Sequence, residues 1–166
     1  MERMITVGNK PYKIRASAAV PLIYKAQFGT DYNEDIAELQ EGDDQSAYVI
    51  GCRLLWAMAR TVKEKLPTPD EWIVSFKPKE LERALTVSRK LFELSLGSDD
   101  DDDDDEGGGD GEPFTAERFM ALAAHCGLSF QDLTYLPLGM AIKTISEYAS
   151  LSSDEEYVSG AEFFGT

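Results

Sequence analysis

Residues 45–65 read QSAYVIGCRLLWAMARTVKEK and carry the most regular apolar pattern of the chain. Apolar side chains recur there at intervals of three and four residues, which places them on one face of a helix. The members of this stripe are Tyr48, Val49, Cys52, Leu55, Trp56 and Ala59. We therefore predict a central amphipathic helix over residues 45–65, with the stripe in the core.

The residues that follow predict two more helices on the same core. Thr68, Pro69 and Glu71 form a helix start, because Thr68 and Glu71 can exchange hydrogen bonds and proline suits the first helical position. A longer helix is predicted over residues 79–96. The side chains expected to face inward are Trp72, Ile73 and Phe76 in the first helix, and Leu81, Leu85, Leu91 and Phe92 in the second. We expect Trp56 and Trp72 to be packing residues.

The residues before this helix predict a β-hairpin and two shorter helices. Alternating runs at residues 4–7 and 12–14 flank a turn of Gly, Asn, Lys and Pro. Ser17 can cap the next helix, which Gly29 is placed to end in the left-handed conformation. The inner face predicted for it comprises Val20, Leu22, Ile23 and Ala26. A short acidic helix is predicted over residues 33–39, before a break at Gly42 and Asp43.

Residues 97–113 read GSDDDDDDDEGGGDGEP and carry most of the chain's net charge of −15. This stretch holds ten acidic residues, five glycines and no basic residue, whereas residues 1–96 hold 14 acidic and 14 basic side chains. Because like charges repel and no apolar side chain is available for burial, we expect a solvated, extended linker. The low pI therefore describes the linker and the C-terminal tail more than a folded surface.

Residues 114–151 predict three further helices. Thr115 caps the first, which Gly127 ends; Ser129 and Asp132 start the second, and Pro137 opens a third to about residue 150. The expected organisation is an N-terminal domain at 1–96, the linker at 97–113, a helical extension at 114–151 and an acidic-aromatic tail at 152–166. The predicted fold class is mainly α (α+β), a small hairpin on a helical domain followed by a three-helix module.

Size and composition favour a soluble protein of a reducing compartment. The two cysteines, Cys52 and Cys126, fall one in each predicted piece and form no disulfide framework. No apolar run reaches 18 residues, and the first residues, MERMITV, lack the apolar stretch of a signal peptide. The extension is smaller than most domains that fold alone, so we expect it to need a partner.

No constellation in the sequence predicts catalysis or a metal site. His125 is the only histidine, and with Cys52 and Cys126 it makes three possible soft ligands without C-x-x-C spacing. A calcium loop beginning at Asp102 would place Pro113 where a bidentate glutamate is required. We therefore predict no catalytic residue, no cofactor and no metal, and a protein that is not an enzyme.

The stretch FTAERFMALAAHCGLSFQDL at 114–133 also has the outline of a DNA-binding helix-turn-helix. Affinity for DNA depends on neutralising phosphates with lysine and arginine. Residues 114–151 offer only Arg118 and Lys143, beside the ten acidic residues of the linker. We expect no nucleic-acid binding.

Three segments resemble the tail assembly chaperones of long-tailed, siphovirus-type bacteriophages. They are MITVGNKPYKIRASAAVPLIYKAQFGTD at 4–31, GCRLLWAMARTV with PTPDEWIVSF at 51–62 and 67–76, and FTAERFMALAAHCGLSFQDLTYLPLGMAIKTISEY at 114–148. The resemblance covers most of the chain outside the linker and tail. It rests on packing motifs and contains no catalytic residue.

The resemblance implies a non-enzymatic factor of virion morphogenesis. Such chaperones are made as a short form and, through programmed ribosomal frameshifting, as a long form with a C-terminal extension; this chain would be the long form. The first domain would bind the tape measure protein, and the extension would recruit the major tail protein. The expected location is the host bacterial cytoplasm, with the chaperone absent from the mature virion. Self-association is possible.

The tail after residue 151 and the charge of the chain leave two alternatives open. Tyr157, Phe163 and Phe164 lie among acidic residues and are candidates for docking to the major tail protein, although a frayed terminus explains them as well. The second class of function is an acidic, helical regulatory protein of a phage or prophage that mimics nucleic acid. A gene position between a major tail protein and a very long tape measure protein would favour the chaperone.

Overall fold

The computed structural model describes residues 1–97 and 115–155, without the side chains of 153–155. Within these residues the chain is mostly helical, with one antiparallel hairpin, which confirms the predicted fold class. The strands are β1 (Glu2–Val7) and β2 (Lys10–Arg15), followed by α1 (Val20–Phe28), α2 (Tyr32–Ala37), α3 (Asp44–Arg60), α4 (Pro69–Ile73) and α5 (Pro78–Leu96). After the linker come α6 (Ala116–His125), α7 (Phe130–Tyr135) and α8 (Leu138–Glu155).

The hairpin turns tightly and packs on the helices. Glu2 pairs with Arg15 and Val7 with Lys10, so two residues, Gly8 and Asn9, form the turn. Both have positive φ, 55° and 65°, the combination that a tight hairpin of this twist requires. A Cβ on Gly8 would lie 3.2 Å from the Ser75 carbonyl oxygen. The turn therefore rests closely on the segment between α4 and α5.

Helix α3 lies at the centre and contacts α1, α2, α4, α5 and β2. Its second half is buried on nearly all sides: Leu55, Met58 and Ala59 are fully inaccessible to solvent. Trp56 is 4% exposed and donates its indole N–H to the Pro67 carbonyl oxygen at 3.0 Å, while Trp72 is 3% exposed. Both tryptophans are confirmed as packing residues.

Several predicted helix boundaries are confirmed by their capping contacts. Thr68 accepts a hydrogen bond from the Glu71 N–H, and the Glu71 carboxylate accepts one from the Thr68 N–H. The Thr115 hydroxyl accepts from the Arg118 N–H, and Ser129 exchanges the corresponding bonds with Asp132. The Gly29 N–H donates to the Lys25 carbonyl oxygen at the end of α1. Helix α8 continues to Glu155, beyond the predicted end near residue 150.

The predicted cap of α1 is wrong. The helix begins at Val20, Ala19 occupies the cap position, and the buried Ser17 hydroxyl forms no hydrogen bond among the described residues. The backbone N–H groups of Ala18 and Ala19 instead donate to the carbonyl oxygens of Leu136 and Leu133, at 2.8 and 3.1 Å. Two backbone donors at the start of α1 are thus satisfied by a distant segment rather than by local structure. The predicted inner face is also only partly right, because Pro21 and Tyr24 are buried beside Val20 whereas Ala26 is exposed.

Helices α6–α8 pack on the N-terminal part, α6 against α1 and α8 against α5. Buried side chains on both sides of the linker belong to one apolar cluster, to which α6–α8 contribute Phe119, Ala123, Leu133, Leu138, Ala141 and Ile145. This packing supplies the partner that the sequence predicts the extension to need. The domain boundaries themselves stay a prediction, and the predicted linker lies outside the described residues.

Asp31 connects the two parts at a buried position. Its carboxylate accepts the N–H of Ala116, the first residue of α6, at 2.6 Å and the Lys25 ammonium at 2.7 Å. At 4% exposure it is almost inaccessible to solvent. One carboxylate therefore satisfies an N-terminal donor of α6 and pairs with a lysine of α1.

None of the helices among the described residues has the length and apolar character that crossing a membrane requires.

Candidate partner-binding surfaces

An uncovered apolar groove of the N-terminal part lies between the end of α1, the first half of α3 and α4. It encloses about 540 Å³. Six apolar side chains, which together define the α3 groove, line it: Phe28, Tyr48, Val49, Cys52, Ile73 and Val74. Val74 is 81% exposed, Tyr48 48% and Val49 41%. Apolar side chains grouped at such exposure are typical of interaction sites.

The α3 groove contains three residues that the sequence predicts to be in the core. The sequence places Tyr48, Val49 and Cys52 in the same buried stripe as the second half of α3. In the structure Tyr48 and Val49 are exposed and Cys52 is half-buried. The elements that cover the predicted face reach only the second half of the helix, and the side chain buried in the first half, Ile50, lies on the opposite face of α3. The stripe therefore continues from the core onto the surface.

The chemistry of the α3 groove suits packing rather than catalysis. Burial raises the pKa of the Cys52 thiol, so the thiol stays protonated at neutral pH and is a poor nucleophile. The guanidinium of Arg53 lies 5.1 Å from the centre of the Phe28 ring and pairs with Asp35 at 3.1 Å. Among the described residues, the one cation that lines the groove is thus already paired, and the Asp70 carboxylate is exposed at the opposite wall.

A strongly acidic stretch, residues 31–44, borders the α3 groove. It contains seven acidic residues and no lysine or arginine, half of all the acidic residues in 1–96. Glu38, Glu41 and Asp44 are exposed and form no ion pair within the described part of the chain. Asp35 and Glu38 line a shallow pocket that shares Val49 and Arg53 with the α3 groove. The acidic stretch and the apolar groove therefore meet along α3.

A second apolar groove lies between the C-terminal end of α5 and helix α8. It encloses about 640 Å³, and its exposed apolar side chains define the α8 groove: Met1, Leu94, Leu96, Met140, Tyr148 and Leu151. Lys143 and Glu147 lie in the same wall. Its floor depends on a close approach of the two helices, since a Cβ on Gly139 would overlap the Leu96 carbonyl oxygen.

Of the residues that the sequence considers as metal ligands, Cys52 lines the α3 groove, whereas His125 and Cys126 line neither groove. Tyr157, Phe163 and Phe164, the candidate docking residues, lie outside the described residues, as does the aspartate run. His125 ends α6, where its ring meets the edge of the Tyr148 ring at 5.7 Å between centroids. No group of three or more His, Cys, Asp or Glu side chains placed to hold a metal ion occurs in residues 1–97 or 115–155.

Sequence reasoning missed the two grooves, for different reasons. The exposed end of α3 carries a signal in hindsight, because the acidic stretch beside it contains too few apolar residues to cover a stripe that begins at Tyr48. Val74 carries none, since it stands among the core residues Trp72 and Phe76 in the sequence. The α8 groove depends on how two helices distant in sequence meet.

No protein-family model, no curated protein and no solved structure matches this chain.

Proposed function

We propose that this chain is a tail assembly chaperone of a long-tailed bacteriophage, in the long form that carries the C-terminal extension. It binds the tape measure protein and recruits the major tail protein while the tail tube assembles, and it catalyses no reaction. The proposal rests on the resemblance of the three segments at 4–31, at 51–62 with 67–76, and at 114–148. The α3 groove is the structural observation that supports it, because an assembly factor must offer its partner an apolar surface.

Under this proposal, each of the two grooves is the binding surface for one of the two partners. The α3 groove belongs to the N-terminal part, to which the resemblance assigns the tape measure protein. The α8 groove includes the last helix of the extension, to which the resemblance assigns the major tail protein. Two separate surfaces on one chain raise the local concentration of one partner near the other. Such a factor works in the host cytoplasm and leaves before the virion is complete.

The acidic stretch at 31–44 favours a second candidate, an acidic regulatory protein that mimics nucleic acid. The two functions differ in what the chain binds. A mimic binds a basic nucleic-acid-binding protein through charge, and its affinity falls steeply as salt rises. A chaperone binds through apolar contacts as well, so part of its affinity persists at high salt.

Copurification tests the proposal. The chain is produced with an affinity tag together with the tape measure protein and the major tail protein encoded beside it. Both should copurify with the tagged chain and remain bound at high salt. Recovery of neither protein, from cells in which both are made, would refute the proposal.

A further inference from the structure

We propose that the α3 groove binds an amphipathic helix whose apolar stripe is flanked by lysine or arginine side chains. The inference rests on the proposed function, in which the helix belongs to the tape measure protein. It goes further by naming the surface and the chemistry of the segment that binds there. The groove, its acidic border and the packing of the rest of α3 carry it.

The shape of the site fits a helix. The groove runs between two helices, α3 and α4, with Phe28 of α1 at its side. Tyr48, Val49 and Cys52 continue the stripe whose next members, Leu55, Trp56 and Ala59, pack against helices inside the body. Apolar side chains three and four residues apart on an incoming helix can fill such a groove. A bound helix would extend the packing that α3 already makes.

The acidic residues beside the α3 groove favour a partner helix with basic side chains. Asp70 is exposed in the wall of the groove, and Glu38 is exposed in the adjoining pocket that shares Val49 and Arg53 with it. Among the described residues that line the groove, the one cation is Arg53, which is paired with Asp35. Glu41 and Asp44 add exposed carboxylates on the same acidic stretch. Basic side chains beside the apolar stripe would meet these carboxylates, which speeds encounter and fixes orientation. An acidic or uncharged helix would leave them without partners.

The same charge disfavours two other occupants. The tail after residue 151 has four acidic residues and no lysine or arginine, so the border would repel it. A second copy that used the same face would bring two acidic stretches together, which like-charge repulsion opposes. The partner of opposite charge is therefore the occupant that the surface fits best.

The test uses the full chain, copurified with the tape measure protein encoded beside it. Val74→Glu and Val49→Glu place a carboxylate at exposed positions of the groove, so both variants should fold. Each should recover at least about tenfold less tape measure protein, because a charge at the centre of an apolar contact removes much of its affinity. Leu122→Glu, at a 40% exposed apolar position of α6 that lines neither groove, is the matched control and should recover the wild-type amount.

Charge reversal tests the chemistry of the partner. Glu38→Lys combined with Asp70→Lys should weaken capture, most strongly at low salt, where surface charges are screened least. Equal capture by the wild type and both groove variants would overturn the inference while leaving the proposed function intact, and undiminished capture by the charge-reversed chain would overturn its basic partner. If the wild type captured no tape measure protein, the proposed function itself would fail.

Light scattering of the chain alone completes the test: a dimer that Val74→Glu converts to a monomer would assign the groove to a second copy and overturn the inference.

Discussion

Asp31 shows how one buried side chain joins segments that are far apart in sequence. Its carboxylate lies 2.6 Å from the Ala116 N–H and 2.7 Å from the Lys25 ammonium. Burial of a carboxylate is costly unless donors surround it. The Ala116 contact offsets part of that cost only while α6 remains docked. Docking of the extension and the local structure around α1 and α2 are therefore coupled through this residue.

Replacing Asp31 by alanine should destabilise the fold by about 2–3 kcal/mol, because a buried N–H and a lysine lose a charged acceptor. Urea unfolding followed by circular dichroism measures the change. The control is Glu117→Ala, which removes a 68% exposed carboxylate 3.8 Å from the same lysine and should cost less than about 0.5 kcal/mol. Equal effects of the two substitutions would show that Asp31 does not hold the extension.

Glu80 attaches the hairpin turn to α5 and should make stability depend on pH. Its carboxylate accepts the N–H groups of Lys77, Gly8 and Asn9 at 3.0, 2.9 and 3.1 Å. The hydrogen bond from Lys77, followed by those from Asn9 and Gly8, lowers the pKa of Glu80 below its ordinary value of 4.5. Because the folded pKa is the lower one, the stabilisation is complete above pH 4.5 and is lost as the pH falls through the folded pKa.

Thermal unfolding of the wild type and of Glu80→Gln, measured at neutral and acidic pH, checks that the Glu80 carboxylate stabilises the fold in a pH-dependent way. The substitution should lower the melting temperature at neutral pH, and the difference from wild type should shrink in acid, where the wild-type carboxyl is protonated as well. Glu82→Gln serves as the control, because that carboxylate accepts no hydrogen bond within the described residues. A difference that is the same at both pH values would contradict the role assigned to Glu80.

At the scale of elements, the sequence predicts helices better than it predicts which of their faces are covered. The box of Thr68 and Glu71 and the spacing of Leu55, Trp56 and Ala59 are local signals, and the structure confirms them. The start of α1 and the exposure of Tyr48 depend on elements that lie far away in sequence. Local patterns cannot report how far a covering element extends.

The same reasoning applies to the candidate site. The sequence supplies the acidic stretch at 31–44 and the apolar residues of α3 as separate features. It does not show that Phe28 and Val74 complete a groove between them. That arrangement arises from the angle at which α1 and α4 meet α3, which tertiary packing sets. The surface could therefore be predicted only in part.

Two helical glycines, Gly139 in α8 and Gly51 in α3, should respond in opposite ways to substitution by alanine. A Cβ at position 139 would overlap the Leu96 carbonyl oxygen, whereas one at position 51 would meet a Leu85 methyl group at an ordinary 3.4 Å. Gly139→Ala should therefore destabilise by about 1–3 kcal/mol through overpacking. Gly51→Ala should stabilise by up to about 1 kcal/mol through helix propensity. Chemical denaturation measures both, and a neutral Gly139→Ala would contradict the close approach.

At the scale of the whole molecule, the chain combines an electrically balanced body with strongly acidic segments. The acidic and basic residues of 1–96 are equal in number, but seven of the acidic ones lie in 31–44. The other seven acidic residues lie among the 14 basic ones, so the rest of that body has a net positive charge, and the two signs are separated between it and the acidic stretch. Such separation steers a charged partner toward one face. It is the property on which the assignment of the α3 groove depends.

Packing of α6–α8 on the N-terminal part predicts that the two parts stay together when the covalent connection is cut. A protease site introduced between Asp105 and Gly109 allows cleavage of the full chain. The fragments should elute as one species in size-exclusion chromatography, since the cut leaves the shared apolar cluster and the Asp31 contacts intact. Uncut protein is the reference. Separate elution of the fragments would mean that the extension is held mainly by the linker.

The solubility of the tape measure protein, compared in cells that do and do not make this chain, tests the proposed function most directly. A chaperone that covers the apolar surface of a long protein should keep it in solution until the tube forms. We expect the tape measure protein in the supernatant with the wild-type chain, and in the pellet when the chain is absent or carries Val74→Glu. The same distribution between supernatant and pellet in all three cases would contradict the proposed function.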